Sequence, residues 1–234
     1  MTTETIAIFL ARGGSKRIPY KNIIDFHGKP IIQYPYESAV KSNIFKTIHI
    51  STDDPIVLET IKKIGHVPEF IRSSELAQDQ IPALTVVRWI LNKFINIGKT
   101  FQSACLIFPC SPLITANDFR TAFDIFKNNE MKYPVMSMST YPVPIEWAMK
   151  QSNNGVVVPY FPELMSFQSQ NFNSAIYDTG NFVFFNIQNV LESEYLSFPA
   201  FLPYILPRER SVDIDSMEDL HLAKTLFLLR KNEL

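Results

Sequence analysis

The sequence predicts an α/β protein, a mainly parallel sheet covered on both faces by helices. Three observations carry that expectation. Apolar runs such as Ile6–Leu10 and Ala104–Phe108 are short and sharply bounded, as strands buried on both faces are. Between such runs lie stretches with apolar residues at helical spacing, several ended by glycine. The chain has 234 residues, 46% of them hydrophobic, which suffices for one substantial core.

The elements follow in order. Ile6–Leu10 is a buried strand, and Pro30–Lys41 a helix after a turn at Gly28. Thr47–Ser51 is a second strand. Ile56–Ile64 is a helix stopped by Gly65, and Val67–Ile71 a short strand. Leu84–Ile97 reads as an amphipathic helix with Gly98 as its stop; Ala104–Phe108 is a third buried strand and Asp118–Lys127 another helix. From about Tyr133 the texture changes. Strand-like pieces (Val135–Ser139, Gly155–Val158, Phe182–Phe185) alternate with proline, asparagine and aromatic residues. An arm inserted at about 134–180, covering a site or making a dimer contact, is the expectation. Ser211–Asp215 reads as a last strand and Glu218–Arg230 as a closing helix.

Lys plus Arg (22) nearly cancels Asp plus Glu (23), for a formal net charge of −1. That balance argues against nucleic acid or a membrane surface as partner, since both demand a general cation excess. No run of roughly 18 apolar residues suggests a membrane span. Cys105 and Cys110 lack metal-type spacing and read as reduced, buried thiols in a cytoplasmic protein. His27, His49, His66 and His221 lack motif context and read as structural or surface residues.

Positive charge is concentrated in one place. "ARGGSKRIPYKN" follows the first strand, where an open parallel sheet binds its ligands. Backbone N–H groups around Ala11, Gly13 and Gly14 would approach an anion closely, with positive φ at the glycines. Arg12, Lys16, Arg17 and Lys21 would neutralise a polyphosphate, Ser15 would donate one more hydrogen bond, and Pro19 stiffens the turn. Neither a Walker A loop nor a G-x-G-x-x-G fingerprint is present. The alternative is a solvated basic turn.

"SVDIDSMED" supplies the opposite charge. In an extended segment, Asp213 and Asp215 point from one face and would share a Mg²⁺ with substrate phosphates. Ser216 and Asp219 have the spacing of a capping box for the last helix, which gives the segment a structural role too. Together, turn and aspartates would make a nucleotidyl-transfer site.

The segments "ARGGSKRIPYKN", "ISTDDPIV", "IRSSELAQD", "CSPLI" and "RSVDIDSMEDL", in this order and spacing, resemble the nonulosonic acid cytidylyltransferases, the CMP-sialic acid synthetase family. Arg17 in "SKRIP", "YPVPIEWAMK" and "SQNFNSAIYDTGNFVFF" are similar to the pseudaminic acid branch. The resemblance implies a Rossmann-like α/β fold, a homodimer with an exchanged arm, CTP and Mg²⁺, and a CMP-sugar plus pyrophosphate as products. It implies that Arg12, Ser15, Lys16, Lys21 and Asn22 hold the triphosphate, with Lys21 and Arg12 at the α-phosphate, and that Arg72 seats the nucleotide. Asp213 and Asp215 would bind the metal. Ser111, Gln168, Tyr177, Asp178 and Asn181 are the candidate sugar contacts. The chain departs from the family at Ile81 and Ala83, where serine or threonine is usual, at Phe108-Pro109, where sialic acid enzymes carry glutamine-proline, and at Gln168, where arginine is expected. Activation of another nonulosonic acid, or nucleotide binding without turnover, remain the alternatives.

Overall fold

The computed structural model describes residues 4–192 and 198–232. In chain order its elements are β1 (Thr5–Leu10), β2 (Asp25–Phe26), β3 (Lys29–Pro30), α1 (Gln33–Ser42), β4 (Phe45–Ser51), α2 (Pro55–Lys63), α3 (Ala83–Asn96), β5 (Ser103–Ile107), α4 (Ala116–Asn128), β6 (Val135–Thr140), β7 (Met149–Gln151), β8 (Val157–Pro159), β9 (Ile176–Asn186), α5 (Ile187–Leu191), β10 (Leu202–Ile205) and α6 (Met217–Asn232). Six strands form one sheet in the order β10-β6-β9-β5-β1-β4. All neighbours are parallel except β9, which runs antiparallel to β5 and β6.

Alternation along the central strands divides the core in two. Ala7 and Phe9 of β1 face a layer with Val57 and Ile61 of α2 and Phe119, Ala122 and Phe126 of α4. Ile6 and Ile8 face the opposite layer, with Val86, Ile90 and Phe94 of α3 and Val190 of α5. That is the two-sided burial expected of parallel strands. A smaller cluster sits at the carboxyl end of the sheet. Ile18 of the cationic turn packs there with Phe26, Ile31, Ile214, Leu220 and Ala223. The first turn and the last helix, about two hundred positions apart in the chain, are thus joined by burial of apolar surface.

Four expectations change. Residues 67–71 form no strand: Pro68 interrupts them, and Val67 and Ile71 point to solvent. Ser211–Asp215 is irregular, and the last strand is instead β10 at the sheet edge, where Pro203 is tolerated for want of a partner on one side. β6 and β9, expected at the ends of the inserted arm, belong to the main sheet; only 141–175 lies outside it, with β7 and β8 as its own hairpin. Cys110 is only partly buried, unlike Cys105.

Behind β4, His49 is fully buried with Nδ1 3.4 Å from Glu69 Oε2, and His66 Nε2 accepts the Ile50 N–H at 3.2 Å. Burial, then the proximity of His49, depresses His66 to about 4; Glu69 is lowered to about 2, first by its hydrogen bond to His49. The unfolded chain therefore takes up protons on His66 below about pH 6.5 while the folded chain does not. Stability conferred by neutral His66 is complete above that pH and is lost as pH falls towards 4; the Glu69 contribution follows from 4.5 downward. Denaturant unfolding should show a loss of about 2 kcal/mol between pH 7 and 4.5. His66→Gln should flatten that slope. An equal slope in the variant would assign the loss elsewhere.

Candidate active site

A cleft of about 530 Å³ opens at the carboxyl end of β1, between the turn 11–22, the loop 72–83 and the segment 213–215. β1 delivers Ala11, whose N–H bonds the Ser51 carbonyl at 2.9 Å, and the chain then leaves the sheet as the cationic turn. Asn22 Nδ2 donates to the Arg12 carbonyl at 2.8 Å, which closes the turn on itself. The glycines work differently from the expectation. Neither Gly13 nor Gly14 has positive φ. A Cβ on Gly13 would lie 2.1 Å from Asp54 Oδ2, the carboxylate side chain that caps α2, so Gly13 permits a close approach. A Cβ on Gly14 would meet nothing within 4 Å.

Every cation of the turn has an acidic partner. Asp79 accepts from Arg12 on Oδ1 and from Lys16 on Oδ2, the latter at 2.6 Å. Asp215 Oδ1 takes Arg17 at 2.9 Å and Lys21 at 3.1 Å, while Lys21 also donates to the Ile214 carbonyl at 2.7 Å. Burial works against ionisation of Asp215, but bonding to Lys21 and the charges of Lys21 and Arg17 outweigh it, and its carboxyl falls below the ordinary range. Asp213 goes the other way. Burial, then the Asp215 charge, raise its pKa, with Asp178 and Asp219 adding to the effect. The Asp213 side chain also lies against Gly180, which has φ +61° and whose Cβ would come 3.2 Å from Asp213 Cγ.

Arg72 is 4% exposed and lines the cleft, and its Nη2 lies 3.5 Å from Asp53 Oδ1, its one acidic partner among the described residues. Its Nε and Nη2 have no hydrogen-bond partner. A buried guanidinium with unused donors at a cleft wall is a demand for an acceptor. Cys110, whose thiol burial pushes up to about 12, donates weakly to the Lys21 carbonyl and Asn22 Oδ1.

Arg12, Ser15, Lys16, Arg17, Lys21, Asn22, Arg72 and both aspartates line this one cleft; Ala11 does not, being buried with its N–H spent on the Ser51 carbonyl, and Gly13 does not line it either. Nor do the predicted sugar contacts. Ser111 is buried with Oγ donating to the Phe108 carbonyl at 2.7 Å, and Asn181 is buried with Nδ2 on the Thr179 carbonyl; both are spent on the backbone behind the cleft wall. Tyr177 packs against Tyr141 with the rings tilted by 59°, and its hydroxyl meets Ser211 Oγ at 3.2 Å. Asp178 accepts the Gly180 N–H. Gln168 lies on the exposed segment outside the sheet, bonded to Gln170. Asp79, the last residue of "IRSSELAQD", is the partner of Arg12 and Lys16 that sequence reasoning misses, since a single charge at the end of that stretch carries no motif.

Residues 6–199 match the family model described as Cytidylyltransferase. The chain belongs to the cytidylyltransferase family. Among its curated relatives, the pseudaminic acid cytidylyltransferase of Campylobacter jejuni is 33% identical over 224 residues, 96% of each chain. The CMP-N,N'-diacetyllegionaminic acid synthase of Legionella pneumophila is 28% identical over 98% of each. Among solved structures, a CMP:2-keto-3-deoxy-manno-octonic acid synthetase complexed with CTP superposes with a TM-score of 0.70 at 15% identity, covering 97% of this chain and all of that one. That likeness establishes the Rossmann-like sheet of this cytidylyltransferase and its flanking helices. No helix among the described residues is long and apolar enough to cross a membrane.

For a divalent ion, the cytidylyltransferase cleft presents hard oxygen donors. Among the described residues there is no cluster of three or more His, Cys, Asp or Glu side chains poised to hold a metal. Mg²⁺ does not require one, since it commonly takes one or two carboxylates with phosphate oxygens and water. Asp213, whose ionised form is disfavoured by burial and by Asp215, gains from such an ion, so the residues present fit it.

Proposed function

We propose that this cytidylyltransferase transfers CMP from CTP to pseudaminic acid and releases pyrophosphate. One observation carries the chemistry: the cationic turn after β1 and the acidic segment before α6 line a single cleft. The choice of sugar rests on the relative in C. jejuni. The triphosphate lies over the turn, against Arg12, Ser15, Lys16, Lys21 and Asn22, and takes the unused donors of Arg72. Arg12 and Lys21 stabilise charge at the α-phosphate. Asp213, with Asp215, would hold Mg²⁺, which would supply positive charge against that developing on pyrophosphate. The anomeric oxygen of the sugar acid attacks the α-phosphorus; the bond from that phosphorus to the β-phosphate oxygen breaks. A neighbouring carboxylate eases loss of the hydroxyl proton. Tyr177 and Asp178, at the base of the projecting segment, are the proposed sugar contacts beside Asp213. Ser111 and Asn181 hold the wall in place. Gln168 reaches the sugar only if the projecting segment packs across a homodimer, which the resemblance implies; a cytoplasmic location follows from the same reading.

Pyrophosphate release with CTP, Mg²⁺ and one acid at a time tests the proposal. Release with pseudaminic acid is the expected result. Release only with a legionaminic or sialic acid would keep the chemistry and replace the acceptor, and CTP binding without release from any acid would end the enzymatic reading.

A further inference from the structure

Asp213 has no fastening of its own. Among the described residues its carboxylate accepts no hydrogen bond; around it are burial, like charge, the field of Lys21 and the bare face of Gly180. Its place is therefore set by the backbone on either side. Downstream, Ile214 is fully buried in the cluster with Ile18 and Phe26, and its carbonyl accepts from Lys21 Nζ at 2.7 Å. Upstream, Leu206 is tied to the sheet, its N–H on the Met138 carbonyl and its own carbonyl on Ser139 Oγ. Residues 207–213 between these anchors pair with no strand. Among the described residues, two side chains of that stretch hydrogen-bond the body of the protein: Arg210 to Asp118, and Ser211 to the Tyr177 hydroxyl. Asp118 is the third residue of α4 and is 2% exposed. Its Oδ2 accepts from the Thr115 N–H and hydroxyl at 2.7 and 2.6 Å, which already completes the helix cap. Two further donors converge on it: the Tyr204 hydroxyl of β10 on Oδ1 at 2.6 Å, and Arg210 Nη1 on both oxygens, at 3.0 and 2.7 Å. A helix cap requires neither.

We propose that Arg210 is a positioning residue: held by Asp118 and Tyr204, it fixes the backbone that presents Asp213 to the divalent ion. The inference rests on the proposed reaction, in which Asp213 meets Mg²⁺. A buried ion pair adds little net stability over an apolar substitute, but it can hold the chains it joins in one arrangement. This one joins α4 and the sheet edge to a point three residues before Asp213, about 10 Å of extended chain. A metal ligand tolerates about 0.5 Å of misplacement. Where the ligand has no hydrogen bond of its own, that precision falls to the groups behind it.

The test titrates Mg²⁺ by calorimetry into the wild-type chain, Arg210→Gln, Arg210→Lys and Tyr204→Phe. Each is saturated with a CTP analogue whose α- and β-phosphates are bridged by methylene, and pyrophosphate release from CTP is measured alongside. Arg210→Gln should weaken Mg²⁺ binding and lower kcat by about tenfold each, the scale for a group behind a metal ligand. Affinity for the analogue without metal should stay within about twofold, since Arg210 touches no phosphate residue. Arg210→Lys should recover most of both losses, because a single nitrogen makes both contacts to Asp118. Tyr204→Phe, which removes one donor, should weaken Mg²⁺ binding about threefold. Thermal unfolding reports whether each variant is folded. A folded Arg210→Gln protein with wild-type Mg²⁺ affinity would overturn the inference, because a merely structural clamp lowers the unfolding temperature alone. Should that variant not fold, wild-type Mg²⁺ affinity in Tyr204→Phe would overturn it in the same way. A wild-type chain that binds no Mg²⁺ beside the analogue, or releases no pyrophosphate with any acid, would instead overturn the proposed reaction, and this inference with it.

Discussion

Replacing Asp213 by asparagine should lower turnover about a thousandfold while the fold and CTP affinity stay nearly intact. Asparagine keeps the volume and one acceptor oxygen but removes the charge. In the native cleft that charge is held at a cost, since burial and the Asp215 carboxylate both favour the protonated form. Such a cost is sustained at a site where a cation joins the group during function. Asp215 differs: Lys21 and Arg17 already occupy its Oδ1. Asp215→Asn should therefore combine lost turnover with a looser Lys21, whereas Asp213→Asn should affect turnover alone. Removing the Asp213 charge also relieves repulsion, so the variant should unfold at an equal or slightly higher denaturant concentration. Pyrophosphate release, with CTP titration by calorimetry and urea unfolding, measures all three. Turnover within tenfold of wild type would remove Asp213 from the reaction.

Arg72→Met should separate binding from stability. CTP affinity should fall about a hundredfold, because two or more charge-assisted hydrogen bonds to phosphate are lost at once. Stability of the protein without nucleotide should stay within about 1 kcal/mol of wild type, although a 4% exposed side chain is replaced. The reason is that Arg72 earns little in the free protein. Burial lowers its pKa, the Asp53 contact at 3.5 Å is long, and Nε and Nη2 are unmatched. Methionine fills much of the space without leaving donors stranded. Stability and CTP affinity falling in parallel would mean that Arg72 is a core residue that happens to line the cleft.

Much of this molecule was legible in the sequence because its signals are local. β1, β5 and α3 have apolar patterns that only one secondary structure satisfies, and each was placed within about two residues. The turn was legible because charge and glycine cluster in twelve residues. What escaped was set by neighbours distant in the chain. β6 buries Ser137 and Ser139 and turns its methionines partly outward, the reverse of an ordinary strand, because the serine hydroxyls bond backbone of β9 and the stretch after β10. β9 likewise buries Thr179 and Asn181, so its run of eleven residues read as four apolar ones. Ser211–Asp215 has a strand-like composition but pairs with no strand. Its end is claimed instead by α6, where Asp219 accepts the N–H groups of Asp215 and Ser216 and the Ser216 hydroxyl caps Asp219, as the spacing suggested. The glycine pair illustrates the same limit: the sequence announces a permissive backbone, but only the fold reveals that Gly13 makes room for Asp54.

The pairing of Asp79 with Arg12 and Lys16, and of Asp215 with Arg17 and Lys21, bears on how a nucleotide is admitted. A bare basic loop would draw any polyanion from a distance, and salt would blunt that pull. On the proposed reading a triphosphate swaps one set of counterions for another, so selectivity would come from the fit of the incoming oxygens rather than from long-range attraction. On that reading Asp79 gives up Arg12 and Lys16 as phosphate oxygens take them, which would tie release of that internal acid to correct seating of the guest.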